Sequence, residues 1–421
     1  MTSTKALQVA VVGAGPAGLL LALILAQNGL IVTVLEANDK VDDRPRALLY
    51  GPAASQVIKR AGILHKVLKR GFLVKTMAWR KLGGEKITEI ENIDTLDVPD
   101  HMLAYPLNSL AEMIVAELAT LSNASILWSH RVIGVSQNDD QVWAEIDCHG
   151  EKRRIEADFL VACDGAQSGV RKALFGRDFP GYSLDKQMVT TNVYYDLDKY
   201  GWSDIQWTIH PEHWFISMKI TKDGLWRVAY GDDARFTEEE LRQRLPDKFR
   251  QILPGNPEPD QYKIKTMAFF RMHQRCAPKM KVGRVLLGGD AAHLCNPMGG
   301  LGLTGGIADM GSLADCLLGI YSGQADMTIL DKYDEMRRRI YRDVINPLST
   351  KNMERMSKDG ESVLAEDPFL QFAAEAAQNP EVAAQMFMRD LAMSCDMTQF
   401  YRPRQDQKHS PHARDRVQSN I

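Results

Sequence analysis

The sequence predicts an α/β chain: a parallel-sheet nucleotide-binding body, a β-sheet inserted into it, and a helical C-terminal region. Three observations predict this. Residues 7 to 36 read strand, turn, helix, strand; residues 187 to 231 form an aromatic, β-rich block unlike that beginning; and beyond about residue 325 the periodicity is helical.

LQVAVVGAG is an apolar, β-branched run ending in glycines. PAGLLLALILAQNG is a helical run closed by Gly29, and LIVTVLE is a second buried strand, which completes a βαβ unit. Residues 51 to 70 look helical, strand-like alternation follows to about 98, and LNSLAEMIVAELATLS is an amphipathic helix. SILWSHRVIGVSQ, QVWAEIDCHG and ADFLVACDG are strand-like runs separated by turn signals at Asn138-Asp139 and His149-Gly150. MVTTNVYYDL, IQWTIHP, HWFISMKIT and LWRVAYGD make the β-rich block. The chain returns to strand, loop and helix at 282 to 320, and both TILDKYDEMRRRIYRDVI and the stretch 367–397 are helical. The expected division is a discontinuous nucleotide-binding domain (1–75, 101–180 and 273–325), a substrate-binding β-sheet domain (76–100 and 181–272) and C-terminal helices (326–401). Residues 402–421 are polar, with almost no apolar content, and are expected to be a disordered tail.

Composition narrows the function classes. The 421 residues are 45% hydrophobic and 25% charged with a formal net charge of -3, which suits a soluble protein and gives no basic surface for nucleic acid. The longest apolar run, Leu19 to Ala26, falls short of the roughly 20 residues that cross a bilayer. The N-terminus lacks the basic segment and cleavage site of a signal peptide. No membrane partner and a cytoplasmic location are expected, and a homodimer is compatible with all of this. The six cysteines form no CxxC pair and fit reduced thiols. His293 and Cys295 have no second pair at ligand spacing, so no metal site is expected.

Three motifs carry chemistry. Gly13-Ala14-Gly15-Pro16-Ala17-Gly18 lies between strand and helix, with Glu36 ending the next strand. Gly13 permits the tight turn, Gly15 lets the backbone approach a pyrophosphate, Gly18 lets helix and strand pack closely, and Glu36 can accept from a ribose hydroxyl. This establishes a dinucleotide and leaves NAD against FAD open. Asp164-Gly165 ends a second apolar strand. The third motif is GGDAAHLCNPMGGLGLTGG, residues 288 to 306, in which seven of nineteen positions are glycine. A buried strand delivers Asp290, suited to a sugar-alcohol hydroxyl, and Pro297 through Leu303 run into a helix N-terminus. Backbone N–H groups there can meet the carbonyl edge of a flat ring and stabilise negative charge on it. Reduced flavin develops such charge and nicotinamide does not, so the glycines are expected to give clearance to a tricyclic ring.

In this order and spacing the three motifs resemble the group A FAD-dependent aromatic hydroxylases, the p-hydroxybenzoate hydroxylase-like flavoprotein monooxygenases. The match covers residues 7 to 350. LWRVAYGD and RMHQRCAPKMKVGRVLLGGDAAHLCNPMGGLGLTGG resemble the fungal phenol-hydroxylase-like branch. The resemblance implies a Rossmann-like FAD-binding domain with FAD held by Gly13, Gly15, Gly18, Glu36, Arg46 and Asp290. It implies a ring lying against Pro297 and the 299–303 backbone, Gly300, Leu301, Gly302 and Leu303 included, and it has Asp164 and Gly165 serve both FAD and the NAD(P)H that reduces it. Asn108 stands near where many relatives carry Gln or Arg to the flavin, and Thr304 where many carry Asn. The thioredoxin-like C-terminal domain of larger phenol hydroxylases has no counterpart in these residues.

The implied reaction is reduction of FAD by NAD(P)H, addition of O2 at flavin C4a, and transfer of OH from the C4a-hydroperoxide to an aromatic, phenolic small molecule. A base or cation near the substrate hydroxyl would help. Candidates on the β-rich block are His210, His213, Arg227, Tyr194, Tyr195 and Tyr230, with His213, Arg227 and Tyr230 best suited; Arg227 and Tyr230 fall on opposite faces of a regular strand. Trp202, Trp207, Trp214, Phe215 and Trp226 line a pocket or form ordinary sheet core. Epoxidation and hydroxylation of an indole-type ring use the same residues and stay open. WSDIQWTIHP only mimics the Trp-x-Trp-x-Ile-Pro motif of flavin halogenases. An NAD-dependent dehydrogenase leaves 288–306 without a role, and a non-catalytic flavin-binding protein is the remaining alternative.

Overall fold

The computed structural model describes residues 6–42, 44, 47–221 and 223–402. The tail expected at 402–421 lies outside the described residues, Arg402 excepted.

A six-stranded sheet runs in the order Lys281–Val282, Val285–Leu287, Phe159–Ala162, Gln8–Val12, Ile31–Leu35, Ala124–Leu127, all parallel except the first pair. Its strands are β-branched and apolar because both faces are covered. Helix Pro16–Gln27 is apolar on every side and lies buried between this sheet and its neighbours, with Pro16 in its first turn and Gly29 just past its end at φ 91°. Helix Leu301–Tyr321 packs beside it. Among the described residues this is the one helix long and apolar enough to cross a membrane; here 78% of its apolar window is buried inside the protein, so it is a core helix.

The second sheet has eight strands, in the order His293–Leu294, Lys263–Cys276, Gly181–Tyr194, Leu225–Asp233, Phe215–Lys219, Ile205–Ile209, Met77–Lys81, Lys86–Ile90. One face packs against helix Glu238–Ile252 through Val189, Phe215, Trp226, Val228 and Tyr230. The other, called the inner face below, packs against Leu48, Leu49, Met298 and the C-terminal helices through Met188, Trp79, Trp207, Ala229 and Met272.

Several local expectations change. The 125–163 stretch holds Ala124–Leu127, Arg131–Gln137, Val142–Cys148, Glu151–Ala157 and Phe159–Ala162, five strands where three runs were legible. EKRRIEA escaped notice because its side chains are mostly exposed, and only its register against Val142–Cys148 makes it a strand. Helix Glu238–Ile252 also escaped, since Pro246 interrupts its interior. Its start is nevertheless signalled by a capping box, with Thr237 Oγ1 accepting from the Glu240 N–H and the Glu240 carboxylate accepting from the Thr237 N–H.

Candidate active site

Strand order explains why the motifs lie so far apart in sequence. Val285–Leu287, Phe159–Ala162, Gln8–Val12 and Ile31–Leu35 are adjacent and parallel. Their C-terminal ends carry Asp290, Asp164, the Gly13–Gly18 turn and Glu36 respectively, at the edge where open α/β sheets bind ligands.

The fingerprint glycines have distinct jobs. Gly13 has φ 103°, and a Cβ there would sit 2.5 Å from the Cys163 carbonyl oxygen. A Cβ on Gly18 would lie 2.3 Å from the Gly13 carbonyl oxygen, whereas one on Gly15 would meet nothing within 4 Å. Turn, close helix packing and an open approach are therefore all realised. Glu36 accepts from the Ala14 N–H at 2.7 Å on Oε2 and from the Asn38 N–H and Nδ2 at 2.9 and 2.7 Å on Oε1, which leaves Oε2 one acceptor site for a ribose hydroxyl. Asp164 Oδ2 accepts from the Gly169 N–H at 2.7 Å, while its Oδ1 is buried without a partner. Burial raises the carboxyl above its ordinary value, opposed by the hydrogen bonds it accepts. Gly165 follows at φ 78°. A buried acceptor left over beside an open glycine turn fits a ligand that brings hydroxyl donors. Arg46 lies outside the described residues. Asn108, in the first turn of helix Leu107–Leu118, is half-buried.

The glycine-rich stretch divides its work, and clearance for a ring is only part of it. A Cβ on Gly288 would strike Met310 Cε at 2.1 Å, one on Gly305 Ile345 Cδ1 at 2.6 Å, and one on Gly306 would come within 3.0 Å of Gly289 Cα. Gly288 and Gly306 seat the long helix against the Asp290 turn, and Gly305 seats it against Ile345. Gly299 and Gly300, at φ 96° and 70°, shape the turn after Pro297, and Gly300 begins the helix without any side-chain cap. The N–H groups of Leu301, Gly302 and Leu303 precede the first intrahelical donor, the Thr304 N–H, and so have no acceptor within the helix, as at any helix start. A Cβ on Gly302 would find only Cys295 Sγ, 3.5 Å away. Thr304 Oγ1 accepts from the Gly51 N–H at 3.1 Å.

Beneath lies a network that sequence reasoning missed. Asp309, buried in the long helix, accepts from the Gly289 N–H at 2.9 Å, Arg337 Nε at 2.6 Å and His293 Nε2 at 2.8 Å. Burial alone would raise the Asp309 carboxyl, but His293 and Arg337 hold it below its ordinary value. Arg337 also donates to the Gly305 and Met393 carbonyls, at 3.1 and 2.6 Å. The signal available was an aspartate inside a glycine-rich apolar helix, which without a partner would be very costly to bury.

The three candidates on the large sheet do not converge. Arg227 is 8% exposed on the inner face, where its Nε and Nη2 donate to Asn192 Oδ1 at 3.1 and 3.0 Å. Burial pulls its guanidinium down to about 10, and Tyr50 is an electrostatic neighbour. Tyr230 lies on the opposite face, under helix Glu238–Ile252, with Lys248 Nζ over its ring. His213 sits in the turn before Phe215–Lys219 with Lys248 Nζ 3.1 Å from its Nδ1, and burial and Lys248 lower its pKa. The tryptophans divide likewise: Trp207 and Trp214 are inner-face residues, Trp202 and Trp226 are not. On the inner side Tyr50 Oη, Thr266 Oγ1 and Trp214 Nε1 are buried without partners.

A dinucleotide edge of this kind, in one chain with an apolar sheet face that carries a buried cation, suits a dinucleotide-dependent redox enzyme. The chain belongs to the family described as FAD binding domain, whose model matches residues 6–347. It is 40% identical over 352 residues to para-nitrophenol 4-monooxygenase of Pseudomonas sp. strain WBC-3, covering 83% of this chain and 87% of that protein. It is 32% identical over 360 residues to 6-hydroxy-3-succinoylpyridine 3-monooxygenase HspB of Pseudomonas putida strain DSM 28022 / S16, covering 84% and 90%. The crystal structure of p-nitrophenol 4-monooxygenase PnpA from Pseudomonas putida DLL-E4 superposes with a TM-score of 0.86 at 36% identity, covering 93% of this chain and 99% of that one.

Proposed function

We propose that the protein is an FAD-dependent monooxygenase that uses NAD(P)H and O2 to hydroxylate a phenolic ring at the carbon para to its hydroxyl. Bound FAD supplies the redox and oxygen-activating chemistry. The relatives' names support the ring position. Position 4 of para-nitrophenol carries the nitro group. Position 3 of the pyridine carries the succinoyl group and lies para to the 6-hydroxyl. A ring hydroxyl that is deprotonated, or hydrogen-bonded toward phenolate, pushes electron density to that para carbon.

The single observation that carries this reading is Arg227, a buried cation held by Asn192 on the face that also meets Leu49 and Met298. There a guanidinium can hold a phenolate oxygen while the surrounding apolar side chains exclude water. Gly13, Gly15, Gly18, Glu36, Asp164, Gly165 and Asp290 take the nucleotide and sugar portions of FAD, Arg46 joins them, and Asn108 and Pro297 to Leu303 face its flavin ring. The nicotinamide cofactor's phosphates fit a cavity of about 270 Å³ beside Asp164, lined by Arg171, Lys172, Arg177, His273 and Arg275. The finer placement in a fungal phenol-hydroxylase-like branch rests on the 225–232 and 271–306 stretches alone.

The test is product mass and NAD(P)H consumption against para-substituted phenols and hydroxypyridines, for the wild type and Arg227→Gln. The variant is expected to raise the substrate KM about tenfold, the equivalent of one lost charge-assisted hydrogen bond of roughly 1.4 kcal/mol. Its flavin should be reduced normally without substrate. His213→Ala and Tyr230→Phe should couple oxygen to product as the wild type does. A wild type that makes only hydrogen peroxide with every phenol and hydroxypyridine, or an Arg227→Gln with unchanged KM, overturns the reading.

A further inference from the structure

The loop from Cys295 to Gly300 has no ladder or helix of its own to fix it, and its shape is imposed from two sides. Asn296 is 1% exposed; its Oδ1 accepts from the Met298 N–H at 3.0 Å and its Nδ2 donates to the Ser349 carbonyl at 3.0 Å. The Asn296 N–H donates to Oε1 of Gln274 at 2.7 Å. Gln274, 2% exposed on strand Lys263–Cys276, turns its amide nitrogen toward Ser349 Oγ and Thr350 Oγ1, each 2.9 Å away, and Asn346 Oδ1 at 3.1 Å. The reverse amide orientation would set an N–H donor against the Asn296 N–H, so the network itself fixes which end points where. From the other side, Asn352 Nδ2 donates to the Met298 carbonyl at 3.3 Å, and a Cβ on Gly299 would lie 2.7 Å from that nitrogen.

One glutamine therefore joins a strand of the sheet that carries Arg227, the turn at Pro297, and helix Asn346–Met356. That helix follows a π turn at Tyr341–Ile345, a feature often found near functional sites. Ser349, Thr350 and Asn352 lie beyond the 6–347 span of the family match.

We propose that Gln274 is a positioning residue for the flavin. Through Asn296 it sets the turn in which the Gly300 N–H donates to the Pro297 carbonyl at 3.1 Å, and so it aims the first-turn N–H groups of Leu301, Gly302 and Leu303. This rests on the reading that those groups face the flavin ring. Helix-start N–H groups favour a negatively charged ring over a neutral one, so their aim bears on the reduced flavin more than on the oxidised.

The experiment is the two-electron midpoint potential of FAD bound to the holoenzyme, measured without substrate, together with the thermal unfolding midpoint. Gln274→Met keeps length and apolar volume but removes both donor and acceptor. It is expected to weaken binding of reduced FAD about tenfold relative to oxidised FAD, a fall of about 30 mV for a two-electron couple. Ser349→Ala removes one acceptor of Gln274 and leaves the Asn296 N–H bond, so a smaller fall in the same direction is expected; it also serves if Gln274→Met does not hold FAD. An unchanged potential in FAD-loaded Gln274→Met, or in Ser349→Ala when Gln274→Met is empty, overturns the proposal whatever happens to thermal stability. A wild type that hydroxylates no phenol overturns the proposed function and leaves this measurement intact.

Discussion

Gly15 and Gly18 lie three residues apart in one motif, yet they answer to different forces. A Cβ on Gly18 would collide with backbone, which can yield only by moving helix from strand. Gly18→Ala is expected to destabilise the protein by about 1–3 kcal/mol, seen as a lower urea midpoint with or without FAD. Gly15 has φ -73° and open space around it, so alanine fits the protein itself. Gly15→Ala should unfold like the wild type without FAD yet bind FAD at least about tenfold more weakly, the loss of roughly 1.4 kcal/mol of contact with the pyrophosphate. Equal FAD affinity in Gly15→Ala would remove the pyrophosphate from this turn. The close packing at Gly18 and the open space at Gly15 were legible in sequence because a tight strand–turn–helix leaves the backbone few options. The placement of Arg227 and Tyr230 on opposite faces was legible too, from strand alternation; which face packs against Met298 was not.

Between elements, the C-terminal segment completes what earlier elements leave undone. Helix Pro52–Arg60 starts at Gly51 with no side-chain cap of its own. Asp390 supplies an acceptor from 337 residues away in sequence, with its Oδ2 3.2 Å from the Ala53 N–H. Burial pushes its carboxyl up to about 6. A carboxyl with a folded pKa above its unfolded value near 4 keeps its proton longer in the folded protein, so stability falls as pH rises from there through about 6. Asp390→Asn cannot ionise and escapes that loss. Its advantage in thermal midpoint over the wild type should therefore be small at pH 4.5 and larger at pH 7.5; a gap that does not change with pH contradicts the assignment. No sequence pattern announces this contact, because a cap supplied from another element carries no local spacing rule.

At the scale of the molecule, the family-matched span and the working unit differ. Met356, Val363, Leu370 and Phe387 share one apolar cluster with Trp79, Trp207 and Met298. Removing everything after residue 347 uncovers the inner face and takes away Ser349, Asn352 and Asp390 together. Such a chain is expected to purify without FAD and to bind an apolar dye such as ANS, as exposed core surface does. Recovery of a soluble yellow fragment with wild-type FAD content would show that the C-terminal helices are a cover and nothing more.

Period and punctuation alone determined the βαβ start, the FAD-type motifs and the division into a parallel body, an aromatic sheet and a helical end, because backbone sterics and burial act over a few residues. Only folding could show that Asp290, Asp164, Gly13 and Glu36 stand on neighbouring strands, since strand order is set by packing across the whole sheet. Folding alone also decided that Arg227 lies on the sheet face that packs against Met298, while Tyr230 and His213 turn toward helix Glu238–Ile252. The same holds for the partners of Asp309 and Gln274: a buried polar group must be satisfied, but which distant residue satisfies it depends on which elements meet.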